Sequence, residues 1–471
     1  MNTFKSEIRV SDYFNLADMV TLSTTLLAIL AILFLVKKRE NNAKFEWIDY
    51  ILMGRKLSLP FFVATIVSTW YGGIFGVTRI AFDNGIYNFV TQGFFWYLSY
   101  IVFALFIVNK ARATEAITLG DLVKKQFGPK AGVIAGFFNF FNVVPIVYCI
   151  SLSLILQSVL PLNQIEALVS GTTLVVLYSS FGGFKTVVYT DFLQFIIMFA
   201  AVLLVLFLSI AEFGGLKSLQ AGLPESYFDP SGGYGWGETL AWGLIAMSTL
   251  VDPNFYHRAF AAKSDKVAKY GILLACVFWC IFDIATTFGA MYAKLAMPLA
   301  NSETAYFHYA IQIVPAGFRG LFLGGLIACI LSTMDSYIFT ASNTLVYDIL
   351  PGKLYQKKRY HILAGFFVGA LAVLMALAFD GNIKSVWKTL GSYSAACLLF
   401  PVAISLIFSI KFSDKAFLFS CIASAAGVTY WRNFPAPQSL EIVDDLYIGI
   451  LLSAAVLFFS KFPKQKYSAS T

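Results

Sequence analysis

Four aspartates lie inside apolar stretches that are long enough to cross a membrane: Asp191, Asp252, Asp283 and Asp335. A carboxylate in the hydrocarbon region is costly, and such residues usually mark a path for an ion or a solute. Any one of them could instead pair with a nearby Lys or Arg, or serve as a structural hydrogen-bonding group. Four acids in a chain with few charges still predict a polar pathway, whose simplest use is transport.

Two of the predicted spans combine a Ser-Thr pair with a helix-breaking element: "STWYGG" at 68–73 and "STLVDPN" at 248–254. They are five spans apart and therefore run in opposite directions. Broken helices at corresponding positions of inverted repeats indicate a transporter's binding site, because unwound carbonyls can bind a cation and half-helix ends can meet a polar solute. Gly72 and Gly73 could alternatively permit close helix packing, since glycine and proline are common in membrane helices.

A third stretch, "CILSTMDSYIFTASNT" at 329–344, is rich in hydroxyl side chains. Ser332 and Thr333 are neighbours in the chain, and together they present the hard oxygen donors that an alkali cation requires. Hydrogen bonding between helices is the alternative interpretation. With carbonyls from a broken partner helix, the pair would form an all-oxygen site without a charged ligand, which suits Na⁺.

The elements that position these residues are membrane helices. The 471-residue chain is 58% hydrophobic and 13% charged, with a mean hydropathy of +0.74, whereas a soluble domain carries about 25% charged residues. The pattern predicts an all-α polytopic membrane protein without a soluble domain. We expect about thirteen transmembrane helices, centred near residues 26, 70, 98, 145, 173, 200, 246, 284, 333, 371, 398, 424 and 453.

The positive charges predict the orientation. Most Lys and Arg residues fall in alternate short loops, so we expect the N-terminus outside and the C-terminus in the cytoplasm, in a plasma (inner) membrane. The net charge of +8 is therefore a topology signal and, being spread over many loop ends, does not indicate a nucleic-acid partner. The inner clusters are "VKKRENNAK", "VKKQFGPK", "AAKSDKVAK", "QKKRY" and "KFPKQK".

Catalytic and cofactor patterns are missing from the sequence. The six cysteines are scattered singly and predict no disulfide framework. The three histidines form no metal-binding pattern, and neither a phosphate-binding loop nor a hydrolase motif occurs. We therefore expect a protein that is not an enzyme and that needs no cofactor.

Three stretches carry a resemblance to the sodium/solute symporter family. "YSSFGGFKTVVYTDFLQ" (178–194) resembles the family's most distinctive segment, and "ILSTMDSYIFTASNTLVYDI" (330–349) resembles its sodium-site helix. "FYHRAFAAKS" (255–264) resembles the loop after its seventh helix, and matches extend from about Leu57 to Leu350. The family includes transporters for proline, pantothenate, sugars, sialic acid, iodide and choline.

The resemblance implies a core of two inverted five-helix repeats with broken helices, working by alternating access. The implied division is a peripheral first helix with its loop (1–56), repeats at 57–233 and 234–411, and peripheral helices with a tail (412–471). Asp191 matches the family's acid near the sodium site, and we predict that Asp191 and Asp335 support ion coupling. The implied sodium ligands are the carbonyls of Ile66, Thr69 and Cys329 and the hydroxyls of Ser332 and Thr333.

The solute is less determined. The family's sugar binders use an amide where this chain has Gly73, which argues against sugars. "STWYGG" resembles the "WVGG" of the choline transporters, whose Trp contacts a quaternary ammonium, whereas the second cage aromatic expected near position 252 is an Asp. The predicted solute-binding residues are Trp70, Gly72, Gly73, Ser248, Thr249 and Asp252.

We thus expect a sodium-coupled symporter that imports a small organic solute such as an amino acid, an amine or another zwitterionic or cationic metabolite. Its expected partners are the solute, sodium and the lipid bilayer. Proton coupling through the buried aspartates is one alternative. A sensor or a channel on the same scaffold is another, although the tail after Phe462 is short for a signalling domain and no filter motif occurs.

Overall fold

The computed structural model describes residues 4–6, 8–40, 46–179, 182–434 and 443–460, which we call the described residues. They are helical throughout, with no strand among them, and an isolated bridge joins Leu57 to Ala262. The Lys-rich segment 461–466, part of the basic cluster at 36–44 and two residues of the 178–194 motif fall outside this set.

The helices follow one another with short connections. They are α1 (Leu16–Glu40), α2 (Trp47–Leu52), α3 (Leu59–Ser68), α4 (Ile74–Asn84), α5 (Phe95–Val102), α6 (Val108–Ala113), α7 (Leu119–Phe127), α8 (Pro129–Asn142), α9 (Ile146–Val159), α10 (Gln164–Ser179), α11 (Phe184–Phe213), α12 (Leu216–Gly222), α13 (Trp236–Ala246), α14 (Pro253–Ala261), α15 (Asp265–Ala296), α16 (Ala305–Ile313), α17 (Phe318–Asn343), α18 (Lys358–Ala378), α19 (Ile383–Phe408), α20 (Asp414–Asn433) and α21 (Asp445–Phe459). Single 3₁₀ turns lie at Val10–Asp12, Met53–Arg55, Tyr71–Gly73, Glu225–Phe228, Met247–Val251 and Leu354–Gln356, and π-helical segments lie at Phe89–Phe94, Phe103–Ile107 and Thr344–Ile349.

Nine helical segments among the described residues are long and apolar enough to cross a membrane, which confirms a multi-pass, all-α membrane protein. Nine of the predicted span centres lie within them. The other four, near 173, 246, 424 and 453, fall on α10, α13, α20 and α21, which are shorter, broken or less apolar. The count of thirteen spans stays a prediction, as do the predicted repeat boundaries and the orientation.

The span that contains α17 is the centre of the molecule. In its most apolar window 89% of the residues are buried inside the protein, compared with 17% for the span of α1. The segment α17 packs against α11, α9, α18 and α1, while α3 packs between α11 and α15. A membrane helix that is buried on all sides contacts protein rather than lipid, so the polar residues of α17 face other helices.

Both predicted helix breaks are present. Span two is α3 and α4 separated by Thr69, Trp70 and a 3₁₀ turn at Tyr71–Gly73. Span seven is α13 and α14 separated by a 3₁₀ turn at Met247–Val251 and by the extended residue Asp252. The second half-helix begins there because Pro253 fits the first helical position and the Asp252 carboxylate accepts the N–H of Asn254 at 2.7 Å.

Candidate sodium and solute sites

The hydroxyls of Ser332 and Thr333 lie in the middle of α17, where both side chains are fully buried. Ser332 Oγ donates a hydrogen bond to Asp191 Oδ1 at 2.6 Å. Thr333 Oγ1 instead faces the break in span two, 3.2 Å from the carbonyl oxygen of Ser68. These two neighbouring residues therefore connect α17 with α11 on one side and with the unwound part of span two on the other.

Thr333 also explains why position 72 is a glycine. The Gly72 N–H donates to Thr333 Oγ1 at 2.9 Å, and a Cβ at Gly72 would lie 2.6 Å from both Thr333 Cβ and Tyr148 Cδ1. A Cβ at Gly73 would lie 2.5 Å from the Trp387 ring. Neither glycine has a positive φ, so close approach is the reason for both glycines, and a left-handed backbone is not.

The regular hydrogen-bond pattern of α3 ends near the same region. The N–H of Trp70 donates at 3.3 Å to the carbonyl oxygen of Val67, three residues earlier in the chain. In a regular α-helix it would donate to the carbonyl of Ile66, four residues earlier. Ile66 and Thr69 both line a small cavity beneath Trp70. Cys329 does not line this cavity, and its thiol lies 3.0 Å from the carbonyl oxygen of Tyr71 in the 3₁₀ turn. The five predicted sodium residues thus lie on two elements, span two and α17.

Asp191 is fully buried in α11, two turns from its start, and every contact of its carboxylate involves span two, α14 or α17. It accepts hydrogen bonds from the Ser332 hydroxyl and from the Thr65 hydroxyl. Its Oδ2 lies 3.7 Å from the guanidinium of Arg258. The alternative that a buried Asp pairs with a basic residue therefore applies to Asp191, and the pair adjoins the hydroxyls of the predicted sodium site.

Arg258 is the residue that sequence reasoning missed. Its side chain is 1% exposed, and it donates to Ser336 Oγ at 2.8 Å, to Thr69 Oγ1 at 2.5 Å and to Thr65 Oγ1 at 3.2 Å. The segment 255–264 was expected to be a loop, but residues up to 261 form α14. A single Arg among apolar residues directly after a helix break was the available signal, because a short helix there turns its basic side chain inwards.

Asp335 lies one turn beyond Ser332 on α17 and is also buried. Its Oδ2 accepts a hydrogen bond from the Tyr178 hydroxyl at 3.3 Å, whereas its Oδ1 has no hydrogen-bond partner among the described residues. Asp191, Asp335 and Arg258 carry one net negative formal charge between them. The cluster is therefore electrostatically suited to attract a monovalent cation.

Asp283 stands apart from this cluster. It lies in α15 and accepts hydrogen bonds from the hydroxyls of Tyr71, at 2.9 Å, and Tyr97. The Tyr71 ring also stacks on Phe282 with the ring centroids 3.8 Å apart. The four buried aspartates thus occupy three places: Asp191 and Asp335 together, Asp283 beside the 3₁₀ turn, and Asp252 at a cavity.

That cavity lies between the two helix breaks and encloses about 1010 Å³ of space, its mouth included. Asp252 is the one charged residue in its lining, and Gln92, Asn142 and Ser248 supply the other polar side chains. The Nε2 of Gln92 has no hydrogen-bond partner among the described residues. The aromatic side chains in the cavity lining are Trp70, Tyr71, Trp96, Tyr148, Trp242, Tyr337 and Trp387.

The aromatic rings brace one another. Trp70 meets Trp96 edge to face with the centroids 4.8 Å apart, and Tyr148 meets Tyr337 in the same way at 4.7 Å. Such pairs are stabilising beyond their buried area and hold the ring faces in fixed positions. Position 252, where a second cage aromatic was expected, is an Asp, and the other rings of the cavity lining come from several helices.

The predicted solute residues divide between the cavity wall and its surroundings. Trp70, Gly73, Ser248 and Asp252 line the cavity. Gly72 lies behind the wall, against Thr333. Thr249 is buried outside the lining, and its hydroxyl has no hydrogen-bond partner among the described residues.

An all-helical membrane protein with two broken helices around a central cavity has the architecture of a secondary transporter.

Similarity to known transporters supports this assignment. The family model described as "Sodium:solute symporter family" matches residues 50–422. The chain is 25% identical over 384 residues to the high-affinity proline transporter PutP of Bacillus subtilis (strain 168), covering 75% of this chain and 79% of that one. It is 22% identical over 425 residues to the high-affinity choline transporter 1 of Drosophila melanogaster, covering 83% and 67%.

Among solved structures, a substrate-bound, outward-open Na⁺-coupled sialic acid symporter superposes with a TM-score of 0.78 at 16% identity, over 94% of this chain and 97% of that one. This likeness shows the fold. The family match covers most of the chain, and the chain therefore belongs to the sodium:solute symporter family. Its general activity is transport of a solute coupled to sodium.

Proposed function

We propose that this symporter imports a small organic amine, cationic or zwitterionic, and that Asp252 and the surrounding aromatic rings bind its ammonium group. The observation that carries the proposal is the composition of the central cavity, where one carboxylate faces an otherwise uncharged, aromatic lining. An ammonium next to aromatic faces gains cation–π attraction. A buried carboxylate also needs a counter-charge, which such a solute would supply.

The names of some relatives fit this solute class, whereas those of others name myo-inositol or glucose. One matched relative carries choline, a quaternary amine, and others carry proline, whose amine is part of a zwitterion. A zwitterionic solute would also need a donor for its carboxylate, and the proposed donor is Gln92, which lines the cavity and whose amide nitrogen has no hydrogen-bond partner among the described residues. Sugars are disfavoured, because an uncharged polyol forms no ion pair with the Asp252 carboxylate.

For sodium, we propose the carbonyls of Ile66, Thr69 and Cys329 and the hydroxyls of Ser332 and Thr333. Asp191 is proposed to hold the Ser332 side chain and to add a nearby negative charge, and Asp335 adds a second one. An all-oxygen site binds an alkali cation without trapping it, because no carboxylate enters the ligand shell directly.

The proposed coupling follows from the backbone that the two sites share. Thr69 offers a carbonyl to the ion, and the next residue, Trp70, forms a wall of the solute cavity. Gly72 contacts Thr333 of the ion site while Gly73 faces the cavity. An ion that fixes residues 69–73 would therefore preorganise the solute site, and the solute would in turn stabilise the ion site.

A thermal-shift panel of amines, amino acids, vitamins and sugars, run in NaCl and in KCl, tests the proposal, because a ligand stabilises the protein as its concentration exceeds Kd. We expect an amine to raise the melting temperature in NaCl and much less in KCl. The informative variant is Asp252→Asn, because Asn also caps helices well and should preserve the start of α14 while removing the charge.

The outcomes separate the parts of the proposal. Loss of the amine response in Asp252→Asn, with an unchanged melting temperature without ligand, would support the role of the carboxylate. A neutral solute that stabilises wild type and Asp252→Asn equally would refute the amine assignment and leave sodium symport standing. Equal responses in NaCl and KCl would contradict the sodium site and favour proton coupling, for which Asp283, hydrogen-bonded to two tyrosines and to no basic side chain in the described contacts, is the candidate group.

A further inference from the structure

An apolar groove runs along the surface of the helix bundle between α8 and α20, and we call it the α8–α20 groove. It encloses about 680 Å³ of space, its mouth included. Its walls leave large side chains exposed, with Phe137 51% and Ile422 55% accessible. Both helices belong to predicted spans, so the groove opens towards lipid. Its lining consists of Val133, Ile134, Phe137, Phe138, Leu418, Cys421, Ile422 and Ala425.

A lysine stands at the start of each wall of the groove. Lys130 is the second residue of α8, and Lys415 is the second residue of α20. Residues three, four or seven positions apart share a helix face. Lys130 therefore shares a face with Ile134, and Lys415 shares one with Leu418 and Ile422. Both lysines are exposed, and neither forms a salt bridge among the described residues.

Asp414 fixes the two helix starts to one another. Its carboxylate accepts the N–H of Ala131 at 2.7 Å and that of Lys130 at 3.4 Å. It thereby supplies the cap that α8 lacks locally, because the residue before this helix is Gly128 and offers no side chain. A Cβ at Gly128 would lie 2.7 Å from Asp414 Cγ, so the two starts touch. Lys130 and Lys415 are therefore at the same end of the groove.

That end of the groove is basic. The segments 123–130 and 411–415 contain five lysines and one acid, Asp414, whose carboxylate already accepts two backbone N–H groups. The positive-inside rule predicts that this end faces the cytoplasm. Basic pockets between membrane helices on the cytoplasmic side bind the head groups of anionic lipids. An apolar groove that continues from such a pocket into the membrane offers a place for an acyl chain.

We propose that the α8–α20 groove binds one anionic phospholipid of the cytoplasmic leaflet. An acyl chain lies along the groove, and the phosphate contacts the ammonium groups of Lys130 and Lys415. A second copy of this chain is a poorer occupant, because a two-fold contact at the groove would bring the same lysines of both copies to one level, where like charges repel. The lipid contacts both helices, so it stabilises the folded protein.

The test is native mass spectrometry of the delipidated protein in a mild detergent, titrated with dioleoyl phosphatidylglycerol, dioleoyl phosphatidylcholine or inorganic phosphate. We expect one tightly bound phosphatidylglycerol. Phosphatidylcholine should bind at least about tenfold more weakly, because its head group carries its own cation. Inorganic phosphate should not bind, because it has no apolar part to enter the groove.

Two lysine variants test the head-group contact. Lys130→Gln/Lys415→Gln should weaken phosphatidylglycerol binding at least about tenfold, because each lysine near the membrane surface adds to the attraction of an anionic lipid. Lys263→Gln/Lys266→Gln is the matched control, since it removes two exposed lysines from another predicted inner cluster. The control should bind the lipid like the wild-type protein, and the melting temperature without lipid should be unchanged in both variants.

Ala425→Trp tests the apolar part, because it fills the groove without changing the charge. It should weaken phosphatidylglycerol binding several-fold, and wild-type affinity would refute the acyl-chain placement. Equal affinities for the two phospholipids, or equal losses in the two lysine variants, would overturn a specific anionic site. Binding of inorganic phosphate at Lys130 and Lys415 would replace the lipid by a free anion. A lipid-independent dimer that Ala425→Trp dissociates would make a second copy the occupant. All of these outcomes are independent of the sodium site and of the solute.

Discussion

Exchanging Asp191 for Asn should destabilise the protein as well as stop sodium-driven uptake, because it removes the carboxylate that pairs with Arg258. The carboxylate and guanidinium are 3.7 Å apart, with exposed fractions of 0% and 1%. At an effective dielectric constant of about 20, their attraction amounts to about 4 kcal/mol. Removing one member of a buried pair costs about 3–5 kcal/mol when the remaining charge is left without compensation, and we expect a cost towards the lower end here because Asp335 and Asp252 also attract Arg258.

The double variant Asp191→Asn/Arg258→Met separates stability from function. Met is apolar and of similar length, so Arg258→Met removes the guanidinium charge. Replacing both charges of a buried pair is often close to neutral for stability. We expect each single variant to lower the melting temperature by several degrees and the double variant to recover most of that loss. Sodium-driven uptake into proteoliposomes should stay severely depressed in Asp191→Asn and in the double variant, because in both the hydroxyls of Ser332 and Thr65 lose the carboxylate that orients them.

Arg79→Met is the matched control, because Arg79 pairs with Glu303 at 2.6 Å with 46% and 45% of the side chains exposed. An exposed pair of this kind contributes about 0–1 kcal/mol, so its loss should hardly change the melting temperature. The reasoning fails if Asp191→Asn melts like the wild-type protein, or if the two buried substitutions have additive effects.

Two further predictions concern the ion site and the helix break. Ser332→Ala/Thr333→Ala should raise the sodium concentration for half-maximal uptake at least about tenfold, which corresponds to ~1.4 kcal/mol; unchanged sodium dependence in proteoliposomes would place the ion elsewhere. Gly72→Ala should raise the sodium concentration for half-maximal uptake several-fold because its Cβ would press on Thr333. Gly215→Ala, where a Cβ would meet nothing within 4 Å, should transport normally; equal transport by both variants would refute the close-approach argument.

Much of the fold follows from the sequence because the bilayer restricts the possible structures. A spanning segment must satisfy its own backbone hydrogen bonds, so apolar runs become helices, and nine of the predicted spans have the length and composition to cross. The breaks at 68–73 and 248–254 were visible for a local reason: paired glycines and an Asp-Pro step are poor helix residues wherever the chain places them. The π-helical segments, such as Phe89–Phe94, have no comparable local signal.

The sequence alone determined the chemistry available to the sites. Adjacent hydroxyls at 332 and 333, acids in apolar runs and the weakened helix of span two are properties of single segments, and they predict a cation site and a polar path without any contact map. The family motifs at 178–194 and 330–349 add to that evidence for the same reason. Which residue faces which neighbour is not encoded in a single segment.

Tertiary structure decided which of these residues meet. The pairing of Asp191 with Arg258 joins positions 67 residues apart along the chain, and the rings around the solute cavity come from six helical segments or breaks whose aromatic residues are indistinguishable in sequence from packing residues. The same packing explains Gly72, whose need for hydrogen in place of a methyl group depends on Thr333 of another helix. Helix packing therefore places Asp252 at the cavity and Asp283 beside two tyrosines. The hydropathy of a single segment does not report that packing.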